Sequence, residues 1–190
     1  MNKKGLKSLL VDYLGDKRNK LSKKMYFRPY NPQTEEIVCN YSKADWHRIF
    51  PHMIEENLKE MSTCTNVVIL IWCDSATNTP HGMLYLEENF HNRGEVLFHG
   101  GTWNHDRWLY KDIFLSLVAL LDFILVHKYT ISTTCSIDNR RANKFQESLC
   151  FKEVRRDNTT IYKTLDKSKY ASSYYVNKLR TVSIKPLIEM

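Results

Sequence analysis

The sequence predicts a three-layer α/β/α fold, a mixed sheet with helices on both faces, and three observations predict it. From residue 43 onward, helical and strand patterns follow one another in the order α, β, β, β, α, β, α, β, β, which neither an all-helical bundle nor an all-β sandwich produces. The helical pattern from about Arg107 to His127 is apolar on nearly every side, so a sheet must cover one broad face of it. With 190 residues, 43% of them hydrophobic, the chain fills one sizeable core and not two.

Each element has a local cause. Leu6, Leu9, Leu10, Tyr13 and Leu14 recur at helical spacing among Lys3, Lys4 and Lys7, and the polar stretch from Gly15 to Lys20 ends that short helix. Met25 to Tyr30 is β-prone, and Pro29 confines it to a sheet edge or strand end. Ser42 can cap a helix from Lys43 to Met61 whose stripe includes Trp46, Ile49, Phe50, Met53, Leu58 and Met61, with Pro51 kinking or dividing it. The run from Asn66 to Cys73, rich in β-branched residues, reads as a buried strand. Strands at His81–Glu88 and Glu95–Trp103 follow, joined by a connection over Asn89 to Gly94.

The second half repeats the alternation. Asn104 or Asp106 can cap the long helix, on which Asp112, Ser116, Ala119 and Asp122 mark the expected polar side. Tyr129 to Ile137 alternates as a strand, Asp138 to Cys150 fits a short amphipathic helix, and Lys152 to Leu165 folds back on itself at Asp157-Asn158. This gives three regions: a basic helical arm at 1–24, a central domain at 25–166, and a basic, Tyr-containing extension at 167–190.

Charge is concentrated at the ends. Residues 1–25 hold eight Lys and Arg against two Asp, and residues 167–190 hold five against one Glu, so the middle carries −3 of the net +7. A basic amphipathic arm of this length is expected to dock on its own domain or on a second subunit, as in a homodimer, and not on a membrane. Nucleic acid is a partner that Tyr170, Tyr174, Tyr175 and the interleaved basic residues of the tail can grip, though a tail crossing its own domain is favoured. Five scattered cysteines with no C-x-x-C pair suit free thiols in a reducing compartment, and the start of the chain shows no signal-peptide pattern, so a cytoplasmic location is expected. His47 and His52 are five apart with no cysteine beside them, which argues against zinc. There is no Gly-x-Ser-x-Gly elbow and no Walker sequence.

The element order, Arg28-Pro29 on the first strand, and Asn139-Arg140-Arg141-Ala142 followed by Phe145 and by Glu147 to Phe151 together resemble the GNAT family of acyl-CoA N-acyltransferases. The resemblance spans about residues 25–166. It implies a mixed, mostly antiparallel sheet splayed between two parallel strands, Glu95–Trp103 and Tyr129–Ile137, with acetyl-CoA or another acyl-CoA as cosubstrate in the V-shaped gap. The backbone from Phe98 through Gly101 to Trp103 would hold pantetheine, Arg107, Trp108 and Lys111 would line the pyrophosphate turn, and Asn139 would lie near the cofactor arm. The acceptor would be a small-molecule or protein amine, with Glu95 and His99, which share one face of their strand, as groups able to take its proton.

Two departures set this chain apart from the family pattern. None of its six glycines, at 5, 15, 82, 94, 100 and 101, falls in the pyrophosphate turn, where a Cβ can block close approach of phosphate to backbone amides. Gln146 stands where many members place a tyrosine that protonates the leaving thiolate, and an amide has no proton to give at neutral pH. Two other readings therefore stand beside acyl transfer: a non-catalytic binding protein that keeps the fold, and a nucleic-acid or assembly protein acting through its basic ends.

Overall fold

The computed structural model describes residues 5–14, 25–33, 55–89, 94–102, 110–127 and 129–188. Seven strands form one sheet: β1 (Met25–Pro29), β2 (Val67–Asp74), β3 (Pro80–Glu88), β4 (Glu95–Thr102), β5 (Thr130–Ser136), β6 (Phe151–Arg156) and β7 (Thr160–Leu165). Their spatial order is β1-β2-β3-β4-β5-β7-β6. Every neighbouring pair is antiparallel except β4 and β5, which are parallel. The helices are α1 (Leu6–Leu14), α2 (Glu55–Thr63), α3 (Tyr110–Val126), α4 (Arg140–Ser148), α5 (Lys167–Ser172) and α6 (Tyr174–Ile188). Most of the helix expected over 43–61 lies outside the described residues; α2 is the part within them.

Strand alternation sends the sheet's side chains into two cores. Phe27, Val68, Leu70, Trp72, Leu84, Leu86, Val96, Phe98 and Ile131 pack on one face with α1, α3, α5 and α6. On the other face Tyr26, Val67, Ile69, Ile71, Met83 and Tyr85 pack with Leu58 and Met61 of α2. The run at 67–73 is buried on both sides, as its unbroken apolar character requires.

One expectation about α3 is corrected. Ser116 does not face solvent with Asp112; it is fully buried and accepts the indole N–H of Trp72 at 3.0 Å while donating to the Ile113 carbonyl at 2.9 Å. A buried tryptophan needs an acceptor for its ring nitrogen, and a helical serine supplies one without interrupting the helix.

The first helix and the last two pack on the same core as the sheet. Leu6, Leu10 and Leu14 are buried in it. The Leu6 N–H donates to the Glu88 carboxylate at 2.9 Å, and the Tyr129 hydroxyl donates to the other oxygen of that carboxylate at 3.1 Å. Burial, with Glu88 beside it, pushes the Tyr129 pKa up to about 12. At the other end Asp166 caps α5, and Tyr170, 1% exposed, reaches the Val118 carbonyl of α3 at 3.2 Å. Arg180 grips Asp122 with two hydrogen bonds of 2.9 and 2.6 Å and lies over the Tyr170 ring. Among the described residues no helix is long and apolar enough to cross a membrane.

Cys150 takes over a glycine's task. It follows α4 with φ of 67°, the left-handed conformation common just past a helix end, and its N–H donates to the Glu147 carbonyl at 2.9 Å. A Cβ costs roughly 1–2 kcal/mol in that conformation. Cys150→Gly is therefore predicted to be about 1 kcal/mol more stable than Cys150→Ala, which keeps the strained Cβ; urea unfolding of the two variants tests this, and equal midpoints would refute it.

Candidate active site between the splayed strands

The parallel pairing of β4 with β5 is short. Only Glu95, Val96 and Leu97 pair, with Thr130, Ile131 and Ser132, and the strands then part. The antiparallel partners on either side continue past that point, β3 to Thr102 of β4 and β7 to Ser136 of β5. The sheet is thus split from Phe98 onward on one wall and from Thr133 onward on the other.

Hydrogen-bond alternation shows which peptide groups line the split. The Asn89 N–H donates to the Glu95 carbonyl at 2.9 Å, so Glu95, Leu97, His99 and Gly101 turn their peptide groups to β3, and Gly100 and Thr102 turn theirs to the gap. On the far wall the Ile137 N–H donates to Thr159 at 3.0 Å, so Cys135 and Thr133 face β7 while Thr134 and Ser136 face the gap. Gly100 leaves the wall bare: a Cβ there would run into the Leu84 side chain and the Met83 carbonyl.

At the vertex, Glu95 holds the two walls together. Its carboxylate accepts the Ser132 hydroxyl from β5 and the Asn89 amide at 3.1 Å. His99 lies past the vertex, partly buried, its ring tilted at 6.1 Å from Tyr85, whose hydroxyl donates to Glu87 at 2.7 Å. Burial holds the His99 pKa below the usual histidine value and Glu87 opposes that shift. Burial and the Glu87 hydrogen bond raise that of Tyr85.

α4 lies beside the far wall. Asn139 caps it, accepting the Ala142 N–H at 3.1 Å. From the next turns, the Gln146 amide donates to the Thr133 hydroxyl at 3.2 Å and the Thr134 carbonyl at 3.3 Å, and the Asn143 amide donates to the Ser136 and Asn139 carbonyls, both at 3.0 Å. Lys163 of β7, 2% exposed, lies beneath the helix at 3.3 Å from the Asn143 carbonyl and 3.6 Å from Glu147.

No family model matches the sequence, and no curated protein matches it either. Solved structures do match. A structure described as apo FdhC, a nucleotide-linked sugar GNAT, superposes with a TM-score of 0.61 at 16% identity, covering 82% of this chain and 94% of its own. Spermidine N-acetyltransferase from Vibrio cholerae, in complex with CoA and spermine, gives 0.62 at 13% identity, covering 80% and 100%. AAC(6')-Ib, in complex with ribostamycin and coenzyme A, gives 0.62 at 11% identity, covering 79% and 97%. The protein has the GNAT fold.

Against the GNAT pattern, the residues expected to act sort into three groups. Phe98, Gly101 and His99 all lie on the β4 wall, with the Phe98 side chain turned into the core against Phe151 at 6.2 Å. Glu95 and His99 share a face but are not brought together: four residues of extended strand separate them by about 13 Å, and the Glu95 carboxylate is occupied at the vertex. Trp103, Arg107 and Trp108 lie outside the described residues, as does His105; Lys111 is exposed in the first turn of α3. Asn143 and Thr133 escaped the sequence reading, although the Asn143-x-x-Gln146 spacing, which sets two amides on one helix face, was there to find.

Because the His99 pKa is lowered in the folded state, the unfolded chain takes up a proton first as pH falls through the ordinary value of 6.5. The stability carried by neutral His99 is full above pH 6.5 and is lost as pH falls from there through the folded-state value. His99→Gln is predicted to make the loss of stability below pH 6.5 shallower in denaturant titrations at stepped pH; an unchanged slope would refute it.

Proposed function

We propose that the protein transfers an acyl group from an acyl-CoA, acetyl-CoA being the simplest, to an amine. The observation that supports this most directly is the split between β4 and β5, with the peptide groups of Gly100 and Thr102 facing the gap on one wall. An extended amide-bearing chain can add to such an edge as a peptide adds to a sheet. Residues 25–166 form the catalytic body in this reading, and the location is cytoplasmic, in keeping with the free thiols of Cys64, Cys73, Cys135 and Cys150.

The chemistry follows from the walls. Peptide N–H groups along Phe98 to Thr102 hold the arm and polarise the thioester carbonyl. His99, neutral because burial lowers its pKa, takes the proton from the acceptor's ammonium. The freed amine attacks the carbonyl carbon and the C–N bond forms; the C–S bond then breaks with its electron pair on sulfur, and the surplus proton on the new amide nitrogen passes through water to that thiolate, which leaves as the thiol. Glu95 serves by fixing the vertex and so the angle between the walls. Arg107, Trp108 and Lys111 are proposed to meet the pyrophosphate in place of a glycine cradle, charge substituting for backbone donors.

One observation favours a second reading, a binding protein that keeps the fold without turnover: both Gln146 N–H groups are spent on β5, so this side chain offers a departing thiolate no donor. Two measurements separate the readings. Calorimetric titration with acetyl-CoA is expected to give micromolar affinity, and no heat at millimolar ligand would remove both. A screen of amine acceptors is expected to give turnover whose kcat/KM falls on the acid side at a pH below 6.5; His99→Asn should lower kcat by roughly 100-fold and abolish that limb. Binding without turnover on any amine would leave the second reading.

A further inference from the structure

The sheet face that carries His99 runs on past the vertex, across β5, β7 and β6. Leu97 is level with Ser132, so His99, two residues on, is level with Thr134. Thr134 is paired with Tyr162 and Tyr162 with Arg155, which puts His99, Thr134, Tyr162 and Arg155 on one rung of the face. Thr164 and Lys152 lie on the rung before, with Ser132. The alternate side chains of these strands, such as Ile131, Ile161 and Leu165, are buried on the other face. On this one Thr134, Tyr162 and Thr164 are half-buried, and Lys152 and Arg155 are exposed.

Arg155 is a cation set in place and left unspent. Its guanidinium lies over the Tyr162 ring at 3.9 Å, and the Tyr162 hydroxyl donates to Asp157 at 3.0 Å, which fixes the ring. Arg156, next in the chain, spends its fork on Glu153 with bonds of 3.0 and 2.7 Å. Among the described residues Arg155 has no such carboxylate, and the Thr134 and Thr164 hydroxyls have no acceptor. Asp157 does not supply one: it already accepts the N–H groups of Thr159 and Thr160 and the Tyr162 hydroxyl. A flat guanidinium with free N–H groups beside hydroxyl donors is complementary to phosphate, whose oxygens take more donors than a carboxylate can. Lys152, one rung away, adds a second positive charge to meet the roughly −1.5 to −2 of a phosphate monoester at pH 7.

We propose that this rung binds a phosphate group carried by the acceptor, so that the amine reacting at His99 belongs to a molecule with a phosphate at its far end. The inference rests on the acyl-transfer reading above and deepens it by naming the acceptor's class. Arg155 folds back over Tyr162 of β7, two strand spacings from β4, so amine and phosphate stand roughly 10 Å apart. Extended 6-aminohexyl phosphate spans about that distance, and 2-aminoethyl phosphate about half of it.

The test is calorimetric titration of the full chain with 6-aminohexyl phosphate, with 6-aminohexan-1-ol and with inorganic phosphate, followed by turnover with acetyl-CoA. The protein is expected to bind the aminohexyl phosphate roughly 30-fold more tightly than the amino alcohol. Arg155→Met, at an exposed position where the core is untouched, should cut that ratio to within about threefold of one. In turnover, kcat/KM for 6-aminohexyl phosphate should exceed that for 2-aminoethyl phosphate roughly tenfold, and that preference should vanish in Arg155→Met. Equal affinity for the phosphate and the alcohol, or a ratio unchanged in Arg155→Met, would overturn the proposal. So would inorganic phosphate binding as tightly as the aminohexyl ester, which would make this a site for the free ion. Arg155-dependent binding of the aminohexyl phosphate without turnover of any amine would instead strike the acyl-transfer reading and keep the phosphate site.

Discussion

Three residues of parallel pairing, Glu95 to Leu97 against Thr130 to Ser132, are the hinge on which the two halves of the sheet meet. With more pairing the gap would close; with less, β1–β4 and β5–β7 would be joined only through helices. Glu95 reinforces the vertex by bonding both Ser132 on β5 and Asn89 at the end of β3. Parallel strands need a long crossover, and α3 provides it, its buried face locked to the first half by Trp72 and Ser116.

Opening a sheet leaves edge groups without partners, and such groups are costly in a partly buried place. The two walls solve this differently. On the β4 wall, Gly100 has no side chain and its peptide group, with that of Thr102, faces the gap. The β5 wall is covered by Asn143 and Gln146, whose amide N–H groups satisfy the Ser136 and Thr134 carbonyls. That asymmetry distinguishes the two walls: backbone edge on one side, backbone covered by side-chain amides on the other.

The terminal helices α1, α5 and α6 are part of the same body. α1 is tied at its start to Glu88, and α5 and α6 are held on α3 by Tyr170 and by the Arg180–Asp122 pair. Tyr170 and Arg180, which on sequence alone fitted a nucleic-acid grip, are used inside the fold. Glu88, at the end of β3, is taken up by holding Leu6 and Tyr129.

The sequence by itself determined the elements and their order, because local signals suffice for them: the β-branched run at 67–73 makes a buried strand, and the apolar helix before Tyr129 needs a sheet to cover it. It also pointed to a His on β4 and an amide in place of a tyrosine on α4. Only the tertiary structure decided what those side chains can do. Ser116 became a core acceptor because Trp72, 44 residues away, faces it. Glu95 became a clamp and Gln146 a spent donor because β5 stands beside them, and contacts between residues distant in the chain leave no trace in local periodicity.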